Sequence, residues 1–348
     1  ATAHPTLKGT HVLNFDQDRF LRIQAGALAQ AEGIHRTIGG YLEAGAANLF
    51  FLGSGGAGIL MMPAVQLLQD RSTLPVHLRL PAELVELGSV HLGPQSIVVI
   101  PSLSGTTKES VKALSYCQDR GAKVVTLTGH ADTPLADLAD DNFLNFAEDD
   151  TSCESFYLQS LLVALSVLHH RGESTSYVET VEQLTKLPNL LLEVKRSFES
   201  RASSVADHIA EADFHIITGA GNTWPEAWYY GMCILEEMQW IRTRPVHASD
   251  FFHGTLELVE KGVSVILFKG EDGTRPLVQR VEKFVPTVTD SVLVLDTAEF
   301  DLPGVTSEVR SLLSPVLLAT VLERVSAHLE VKRDHPLTTR RYYKRLAY

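Results

Sequence analysis

An internal repeat of domain size limits what this chain of 348 residues can fold into. Three apolar runs in the first half of the sequence return in the second half. The paired runs are 48–52 with 214–217, 97–100 with 263–268, and 123–127 with 292–295. All three offsets are about 166 to 169 residues, so the sequence indicates two copies of one folding unit.

Within the first copy, short β-branched or aromatic runs alternate with stretches of helical periodicity. The predicted strands are 48–52, 76–80, 97–100, 123–127 and 143–146. This alternation predicts a doubly wound parallel sheet, so the fold class is α/β with two tandem flavodoxin-like lobes. The predicted divisions are a helical N-terminal segment at 1–46, a first lobe at 47–170, a linker and helix at 171–206, a second lobe at 207–330 and a C-terminal tail at 331–348.

Composition argues against several classes of protein. The formal net charge of −12 disfavours nucleic acid and an anionic membrane surface as partners, because both require a basic footprint. Three widely spaced cysteines and fourteen histidines form no CxxC or HxxxH pattern, so we expect neither a disulfide framework nor a metal site. The sequence shows neither a secretory signal at its start nor an apolar run of eighteen residues, so we expect a cytoplasmic protein without a membrane segment.

A hydroxyl-rich turn follows the third predicted strand. It reads Ser-Leu-Ser-Gly-Thr-Thr at 102–107 and leads into a helical stretch. Backbone amides and hydroxyls at the positive end of a helix suit a phosphate group. Serine and threonine are also ordinary helix caps, but a single cap would satisfy the helix end. We therefore predict a phosphate site formed by Ser102, Ser104, Gly105 and Thr107.

The turn after the first predicted strand is rich in glycine. Gly53, Gly55 and Gly58 match the GxGxxG pattern of dinucleotide-binding proteins in the correct strand-to-helix position. The acidic residue that would bind the ribose is absent from the end of the second strand, where the nearest carboxylate is Glu83. We therefore expect no nicotinamide or other cofactor.

The second lobe carries a candidate general base. The buried face of a helix predicted at 225–242 comprises Tyr230, Ile234, Met238 and Ile241. Glu237 lies on the flank of this face, whereas Glu236 points nearly opposite. A carboxylate against apolar surface tends to have a raised pKa, which suits a general base. An ion pair with Arg242 or Arg244 would explain the same position without catalysis.

Further candidates lie downstream. His253 stands between aromatic residues and a glycine, where an imidazole can transfer protons, although a solitary histidine is more often a packed or capping residue. The segment 340–345 is basic on an otherwise acidic chain, so it either closes over a phosphate or docks on an acidic neighbour. Arg79, Arg275 and Arg340 could each meet a substrate carboxylate, but we expect solvated surface residues there.

The duplicated lobe, the 102–107 turn and the pair of Glu237 with His253 together resemble the double-SIS proteins, whose SIS domains are sugar isomerase domains. More narrowly, the chain resembles the isomerase half of glucosamine-6-phosphate synthase and the fructosamine-6-phosphate deglycases. The resemblance extends over almost the whole chain, from about residue 13 to 348. It implies two SIS domains that bind a phosphosugar.

The resemblance implies a role for each matched residue. Glu237 would move a proton between C1 and C2 of the sugar. His253 would assist ring opening from the neighbouring subunit, which implies a homodimer, and Lys344 corresponds to a lysine that forms a Schiff base in the synthase. The implied substrate-binding set is Ser54, Gly55, Ser102, Ser104, Gly105, Thr107, Thr151 and Cys153.

The sequence also departs from the synthase pattern. No glutaminase domain precedes the first lobe, so we expect no glutamine-dependent amide transfer. Ala57 stands where the synthase loop has a serine, and the segment 334–348 resembles the deglycase tail more than the synthase tail. Many deglycases lack a lysine at the position of Lys344, which leaves the nitrogen chemistry open.

Three functions are therefore compared. The leading hypothesis is hydrolysis of a 6-phosphorylated fructosamine to glucose 6-phosphate and a free amino acid through an enaminol. The alternative is glucosamine-6-phosphate deamination or an aldose–ketose isomerisation with a Schiff base on Lys344. A non-catalytic sugar-phosphate sensor is the third, but the chain shows no basic helix-turn-helix segment with which such a sensor would bind DNA.

Overall fold

A computed structural model describes residues 11–149 and 155–348 of the chain. Its first half begins with two helices and continues as alternating strands and helices. These elements are α1 (Gln17–Leu28), α2 (Ala31–Glu43), β1 (Asn48–Leu52), α3 (Gly56–Ile59), α4 (Met62–Arg71), β2 (Val76–Arg79), α5 (Pro81–Leu87), β3 (Ser96–Ser102), α6 (Lys108–Gln118), β4 (Lys123–Thr128), α7 (Pro134–Leu138) and β5 (Asp141–Leu144).

Three helices connect this unit to the second one. They are α8 (Ser155–His170), α9 (Tyr177–Leu184) and α10 (Leu187–Ala210), the last with Pro188 in its first turn. The second unit comprises β6 (Phe214–Gly219), α11 (Trp224–Tyr229), a π-helical segment (Tyr230–Glu236), α12 (Glu237–Gln239), β7 (Arg242–His247), α13 (Ala248–Phe251), β8 (Ser264–Lys269), α14 (Arg275–Phe284), β9 (Val292–Asp296) and α15 (Ser307–Lys332).

The two sheets are parallel and share one strand order. The first sheet has the order β2-β1-β3-β4-β5, and the second has the order β7-β6-β8-β9. In register, Phe50 lies beside Val98 in the first sheet and Ile217 beside Ile266 in the second. The second sheet thus repeats the first four positions of the first sheet. The predicted α/β fold of two tandem doubly wound lobes is confirmed.

The structure differs from the prediction at three places. The fifth strand ends at Leu144 rather than at Phe146, whose side chain is exposed. The helix predicted at 225–242 ends at Gln239 because Trp240 adopts the left-handed conformation, with φ 56°. The strand β7 was not predicted, because it lies at the edge of its sheet and carries exposed polar residues instead of an apolar run.

One apolar core connects the two lobes. It includes Phe51 and Val99 of the first sheet together with Ile217 and Phe268 of the second, and the helices α8, α10 and α15 contribute most of its remaining volume. The long helices α10 and α15 pack along each other. The two lobes are therefore joined through a shared helical layer, which fixes the position of one lobe's loops against the other's.

The helix α15 is long and apolar enough to cross a membrane, although the sequence analysis expected no membrane segment. Its length of 26 residues and mean hydropathy of 1.3 suffice to cross a bilayer by composition alone. Within the described residues, 83% of its apolar window is buried against the rest of the protein. Its hydrophobicity is explained by its place in the core.

Candidate active site

Two loops of the first lobe meet at the carboxyl ends of β1 and β3, where the strand order reverses. Open parallel sheets bind ligands in the crevice at this point. The hydroxyl of Ser54, after β1, donates a hydrogen bond of 3.0 Å to Oε2 of Glu109 in α6. The structure therefore brings Ser54 and Gly55 together with the 102–107 turn.

The hydroxyls of the 102–107 turn bond to one another rather than to the end of α6. Ser102 Oγ lies 2.9 Å from Thr107 Oγ1, and Ser104 Oγ accepts hydrogen bonds from the amide and the hydroxyl of Thr106 at 3.2 and 3.1 Å. Thr107 occupies the N-cap position, but its side chain makes no capping hydrogen bond. Helix capping by Thr107 therefore does not account for these hydroxyls. They form a donor-rich cradle at a helix N-terminus, with the Glu109 carboxylate beside it on Ser54.

Gly105 shapes this cradle. Its φ of +69° lies in the left-handed region, and an added Cβ would lie 2.1 Å from Thr133 Oγ1. The carbonyl of Gly105 also accepts a hydrogen bond of 3.1 Å from the amide of Leu135 at the start of α7. Only glycine fits this turn, which lets the backbone come close to a ligand.

The second lobe has a corresponding crevice, between the loops that follow β6 and β8, and a carboxylate fills it. Asp272 Oδ2 accepts a hydrogen bond of 2.9 Å from the amide of Asn222, and Oδ1 accepts one of 2.9 Å from the amide of Thr274. A Cβ on Gly221 would lie 2.3 Å from Asp272 Oδ2, so the carboxylate is tightly enclosed. This crevice already contains an anion, which disfavours a phosphate there.

The two crevices are built by matching turns. Ser104-Gly105-Thr106 in the first lobe corresponds to Asp272-Gly273-Thr274 in the second, and the side chain at the first position bonds the third residue in both. The sequence analysis missed Asp272. The signal was present, because the two tripeptides are separated by the same spacing as the repeat.

The helical segment that carries Glu237 packs against the first-lobe crevice. A Cβ on Gly56, at the start of α3, would lie 2.8 Å from Tyr229 Cε2 and 3.2 Å from Cys233 Sγ. Cys233 precedes Glu237 by about one helical turn. The structure thus brings the second-lobe carboxylate toward the loop that carries Ser54 and Gly55.

Glu237 is half-buried and paired with the C-terminal tail. The wheel prediction of its orientation agrees with the structure, since Glu236 is exposed and Tyr230, Ile234 and Met238 are buried. Glu237 Oε2 accepts a hydrogen bond of 3.2 Å from Arg340 Nη2.

Glu237 therefore forms an ion pair with an arginine, as the alternative without catalysis expects, but this arginine is Arg340 of the tail instead of a neighbour such as Arg242 or Arg244. The side chains of Glu237 and Arg340 are 26% and 14% exposed, which makes this a largely desolvated pair. Arg340 is 103 residues away in sequence, so no local spacing rule indicates the contact.

Three carboxylates, including that of Glu237, lie close enough to Cys233 to affect its pKa. Burial, together with the nearby carboxylates of Glu237, Glu226 and Glu236, raises the pKa of the Cys233 thiol to about 12. The thiol is therefore protonated at neutral pH. A π-helical segment of seven residues leads directly into Glu237, and such segments often occur at functional sites.

His253 is exposed in the turn after α13, where its amide donates a hydrogen bond of 2.8 Å to the carbonyl of Asp250. Among the described residues, no hydrogen bond or ion pair joins the imidazole to Glu237. Nor does the ring pack in the core or cap a helix, the two ordinary explanations for a lone histidine.

Lys344 lies in the tail that Arg340 connects to Glu237. Its Nζ is 5.2 Å from the centre of the Tyr343 ring, and its backbone is left-handed, with φ +57°. The residue is exposed. The structure places this lysine four residues from the arginine that contacts the candidate base.

Two predicted ligands, Thr151 and Cys153, lie outside the described residues. Cys117 and Cys233 are free thiols. Across 11–149 and 155–348, no group of three or more His, Cys, Asp or Glu side chains is arranged to hold a metal ion.

The expectation that three arginines are solvated surface residues is wrong, because each pairs with a carboxylate and none has more than 27% of its side chain exposed. Arg275 pairs with both oxygens of Asp296 at 2.8 and 2.6 Å, and Arg340 is largely buried. Arg79 Nη2 lies 3.4 Å from Oε1 of Glu83, the acidic residue nearest to the end of the second strand. Of the three, only Arg340 contacts a candidate catalytic residue.

A cavity of about 320 Å³ lies behind the Glu237 segment rather than in front of it. It is bounded by Ile234, Met238, Leu337 and residues of α1 and α15. None of the predicted site residues within the described parts of the chain lines it. The predicted site residues therefore lie outside this cavity.

Comparison with known proteins agrees with this architecture. Residues 44–171 match the SIS domain family. Fructosamine deglycase FrlB of Bacillus subtilis is 28% identical over 86% of this chain and 92% of its own length. Fructoselysine 6-phosphate deglycase of Escherichia coli is 28% identical over 69% of this chain and 68% of its own length.

A solved structure from Bacillus subtilis, assigned as a phosphosugar isomerase, superposes with a TM-score of 0.84 at 27% identity, covering 92% of this chain and all of that one. The first lobe thus coincides with the matched SIS domain, and the second repeats its strand order. The chain is an enzyme whose residues 44–171 match the SIS domain and whose fold is that of the solved phosphosugar isomerase structure.

Proposed function

We propose that this enzyme hydrolyses a 6-phosphorylated fructosamine, the Amadori adduct of glucose with an amino acid, to glucose 6-phosphate and the free amine. The names of the relatives support a deglycase, and the hydroxyl cradle of the first lobe supports a phosphate ligand. A phosphorylated sugar held there in its open form would lie between the lobes, within reach of the Glu237 segment.

In this mechanism Glu237 acts as the base. Its carboxylate removes a proton from C1 of the open-chain ketosamine, and C2 becomes part of an enaminol. Return of the proton to C2 leaves an imine between C1 and the nitrogen. One water molecule adds to that imine, and the carbon–nitrogen bond breaks to release the amine and the aldehyde of glucose 6-phosphate.

The observation that carries the proposal is the packing of Gly56 against Tyr229 and Cys233. It links the loops suited to bind the phosphate with the helical turn that ends at Glu237. The second crevice, which contains the Asp272 carboxylate, offers no equivalent cradle. One phosphosugar per chain follows from this asymmetry.

The test is release of glucose 6-phosphate without ammonia from synthetic 6-phosphofructosyl amino acids. Glu237→Gln is expected to lower kcat roughly 100- to 10,000-fold while the substrate still binds, because general-base catalysis contributes on that order. Glu236→Gln is the matched control, since Glu236 is the exposed neighbour on the same segment. Full activity in Glu237→Gln would refute the mechanism.

The second candidate function is deamination of glucosamine 6-phosphate or an aldose–ketose isomerisation through a Schiff base on Lys344. It is favoured by the position of Lys344 on the same tail as Arg340, which contacts Glu237. Borohydride reduction during turnover distinguishes the two. A sugar adduct on Lys344 in the mass spectrum supports the Schiff base, whereas an unmodified lysine supports direct hydrolysis.

We also propose that the enzyme is a cytoplasmic homodimer in which His253 serves the partner's site. The imidazole supports this arrangement because it is exposed and, among the described residues, forms no hydrogen bond with Glu237 of its own chain. Mixing Glu237→Gln with His253→Ala subunits is expected to restore activity, because some dimers would then contain one intact site. No recovery after subunit exchange would contradict a shared site.

A further inference from the structure

Two of the three guanidinium nitrogens of Arg340 donate hydrogen bonds, and the third, Nε, donates none among the described residues. Nη1 donates to the carbonyls of Leu337 and Thr339 at 2.6 and 3.1 Å, which anchors the group within the tail. Nη2 donates to Glu237 Oε2 at 3.2 Å. Among the described residues, Nε is buried and has no hydrogen-bond partner.

A buried donor without a partner needs an explanation, because the desolvation it suffers is not compensated. The Nε and Nη2 hydrogens of an arginine point the same way and together bind both oxygens of a carboxylate. Glu237 engages only one of the two. The Nε and Nη2 donors can therefore bind both oxygens of a ligand carboxylate, whereas Glu237 accepts a hydrogen bond from Nη2 alone.

The tail that carries Arg340 is fixed by contacts on both sides. Gln239 Nε2 donates to the carbonyl of His335 at 2.7 Å, and the amide of Leu337 donates to Glu330 Oε2 at 2.9 Å. The guanidinium of Arg341 lies 3.9 Å from the centre of the Trp240 ring. The orientation of Arg340 is thus set before a ligand arrives, which favours specific recognition.

We propose that Arg340 is a specificity residue that binds the free carboxylate of the amino acid attached to the sugar, and that this carboxylate replaces Glu237 on the Nε/Nη2 edge. The inference rests on the proposed function. Binding of the correct substrate then releases Glu237 from its ion pair at the moment when the base is required. Arg340 thereby positions the base and selects the substrate.

The chemistry of the site favours a carboxylate over the phosphate as the ligand of Arg340. The phosphate already has a cradle at the 102–107 turn, in the first lobe. An α-carboxylate is only two bonds beyond the amine nitrogen, close to the carbon from which Glu237 would remove the proton. Arg340 therefore selects sugars linked through the α-amine of an amino acid over those linked through a distant side-chain amine.

The experiment compares 6-phosphofructosyl-glycine with 6-phosphofructosyl-glycinamide, which differ only in the carboxylate. For the wild-type protein, kcat/KM and the binding affinity from calorimetry are expected to favour the glycine compound roughly 10- to 100-fold, as for a charge-assisted bidentate pair. Arg340→Gln is expected to abolish this preference, and Arg340→Lys to retain a small part of it. Arg341→Gln, the adjacent tail arginine, is the control and is expected to keep the preference.

The outcomes separate this inference from the proposed function. The role of Arg340 would be overturned if the wild type had the same kcat/KM and affinity for both compounds. It would also be overturned if Arg340→Gln lowered these values equally for both. If Arg340→Gln also weakens glucose 6-phosphate binding by the same factor, the arginine serves the phosphate instead, and the inference fails. If neither compound releases glucose 6-phosphate but the binding preference depends on Arg340, the inference stands and the proposed reaction is wrong. Thermal melting of each variant identifies any that fails to fold.

Discussion

Replacing Glu199 with glutamine tests the buried charge cluster between α10 and α15. Glu199 Oε2 accepts a hydrogen bond of 2.8 Å from Arg324 Nε, and Oε1 accepts one of 3.0 Å from the amide of Leu13. His328 Nε2 lies 2.7 Å from Oε1. The Arg324 side chain is 0% exposed and that of Glu199 is 6% exposed, so the variant would leave the buried arginine with Glu323, whose side chain is 27% exposed, as its remaining charged partner.

The magnitude follows from the pKa of Glu199. Burial alone would raise this pKa, but hydrogen bonds from Arg324, Leu13 and His328 outweigh burial and lower it from 4.5 to about 2. At about 1.4 kcal/mol per unit, the folded state gains on the order of 3 kcal/mol from the ionised carboxylate. Because the folded pKa is depressed, this contribution is complete above about pH 4.5 and is lost as the pH falls toward 2.

Chemical denaturation at a series of pH values measures the effect. At pH 7, Glu199→Gln is expected to lower the free energy of unfolding by about 3 to 5 kcal/mol, as for removal of one partner from a buried pair. Below about pH 4.5 the difference from wild type is expected to narrow. Glu193→Gln is the control, because Glu193 lies on the same helix with its side chain 66% exposed. A loss under 1 kcal/mol at pH 7, or a difference that does not vary with pH, would refute the reasoning.

Three further predictions follow from the two crevices and their surroundings. Gly105→Ala is expected to weaken glucose 6-phosphate binding at least tenfold by calorimetry, because its Cβ would meet Thr133, whereas Gly93→Ala, which faces open space, is expected to leave binding unchanged. Asp272→Ser is expected to raise the binding stoichiometry from one phosphosugar per chain to two, and a wild-type value of two would contradict the assignment of a blocked crevice. Cys233, with its pKa raised to about 12, is expected to resist alkylation by iodoacetamide at pH 8 until the protein is unfolded. Mass spectrometry of the labelled peptide measures the extent of alkylation. Rapid labelling of the native protein would show that the thiol is not buried as described.

The sheets were predictable because parallel strands are buried on both faces and read as apolar runs. The run at 97–100 is the clearest example, since β3 is buried throughout. The helix at 225–242 was predicted only in part, because a uniform wheel does not anticipate a π-helical segment or the left-handed Trp240. The edge strand β7 has no apolar run, so periodicity gave no signal for it.

The site was predictable where chemistry is local. The 102–107 turn and the orientation of Glu237 both follow from neighbours within one or two turns. The contact of Arg340 with Glu237 depends instead on the path of the tail back across the second lobe, and only the tertiary structure shows it. Asp272 could have been identified from the internal repeat, because an alignment of the two halves pairs this aspartate with Ser104.

Under the proposed function, that single difference explains why a duplicated fold would have one phosphosugar site. Both lobes provide a crevice at the strand-order reversal and a helix N-terminus beside it. In the first lobe the turn itself presents hydroxyls, with the exposed Glu109 beside them at Ser54, whereas in the second lobe Asp272 places a carboxylate within the turn. The second lobe then contributes its helical segment with Glu237, and the tail with Arg340, to the crevice of the first. Restoring a serine at 272 would create a second cradle without a base beside it, so such a variant should bind two phosphosugars and still turn over only one.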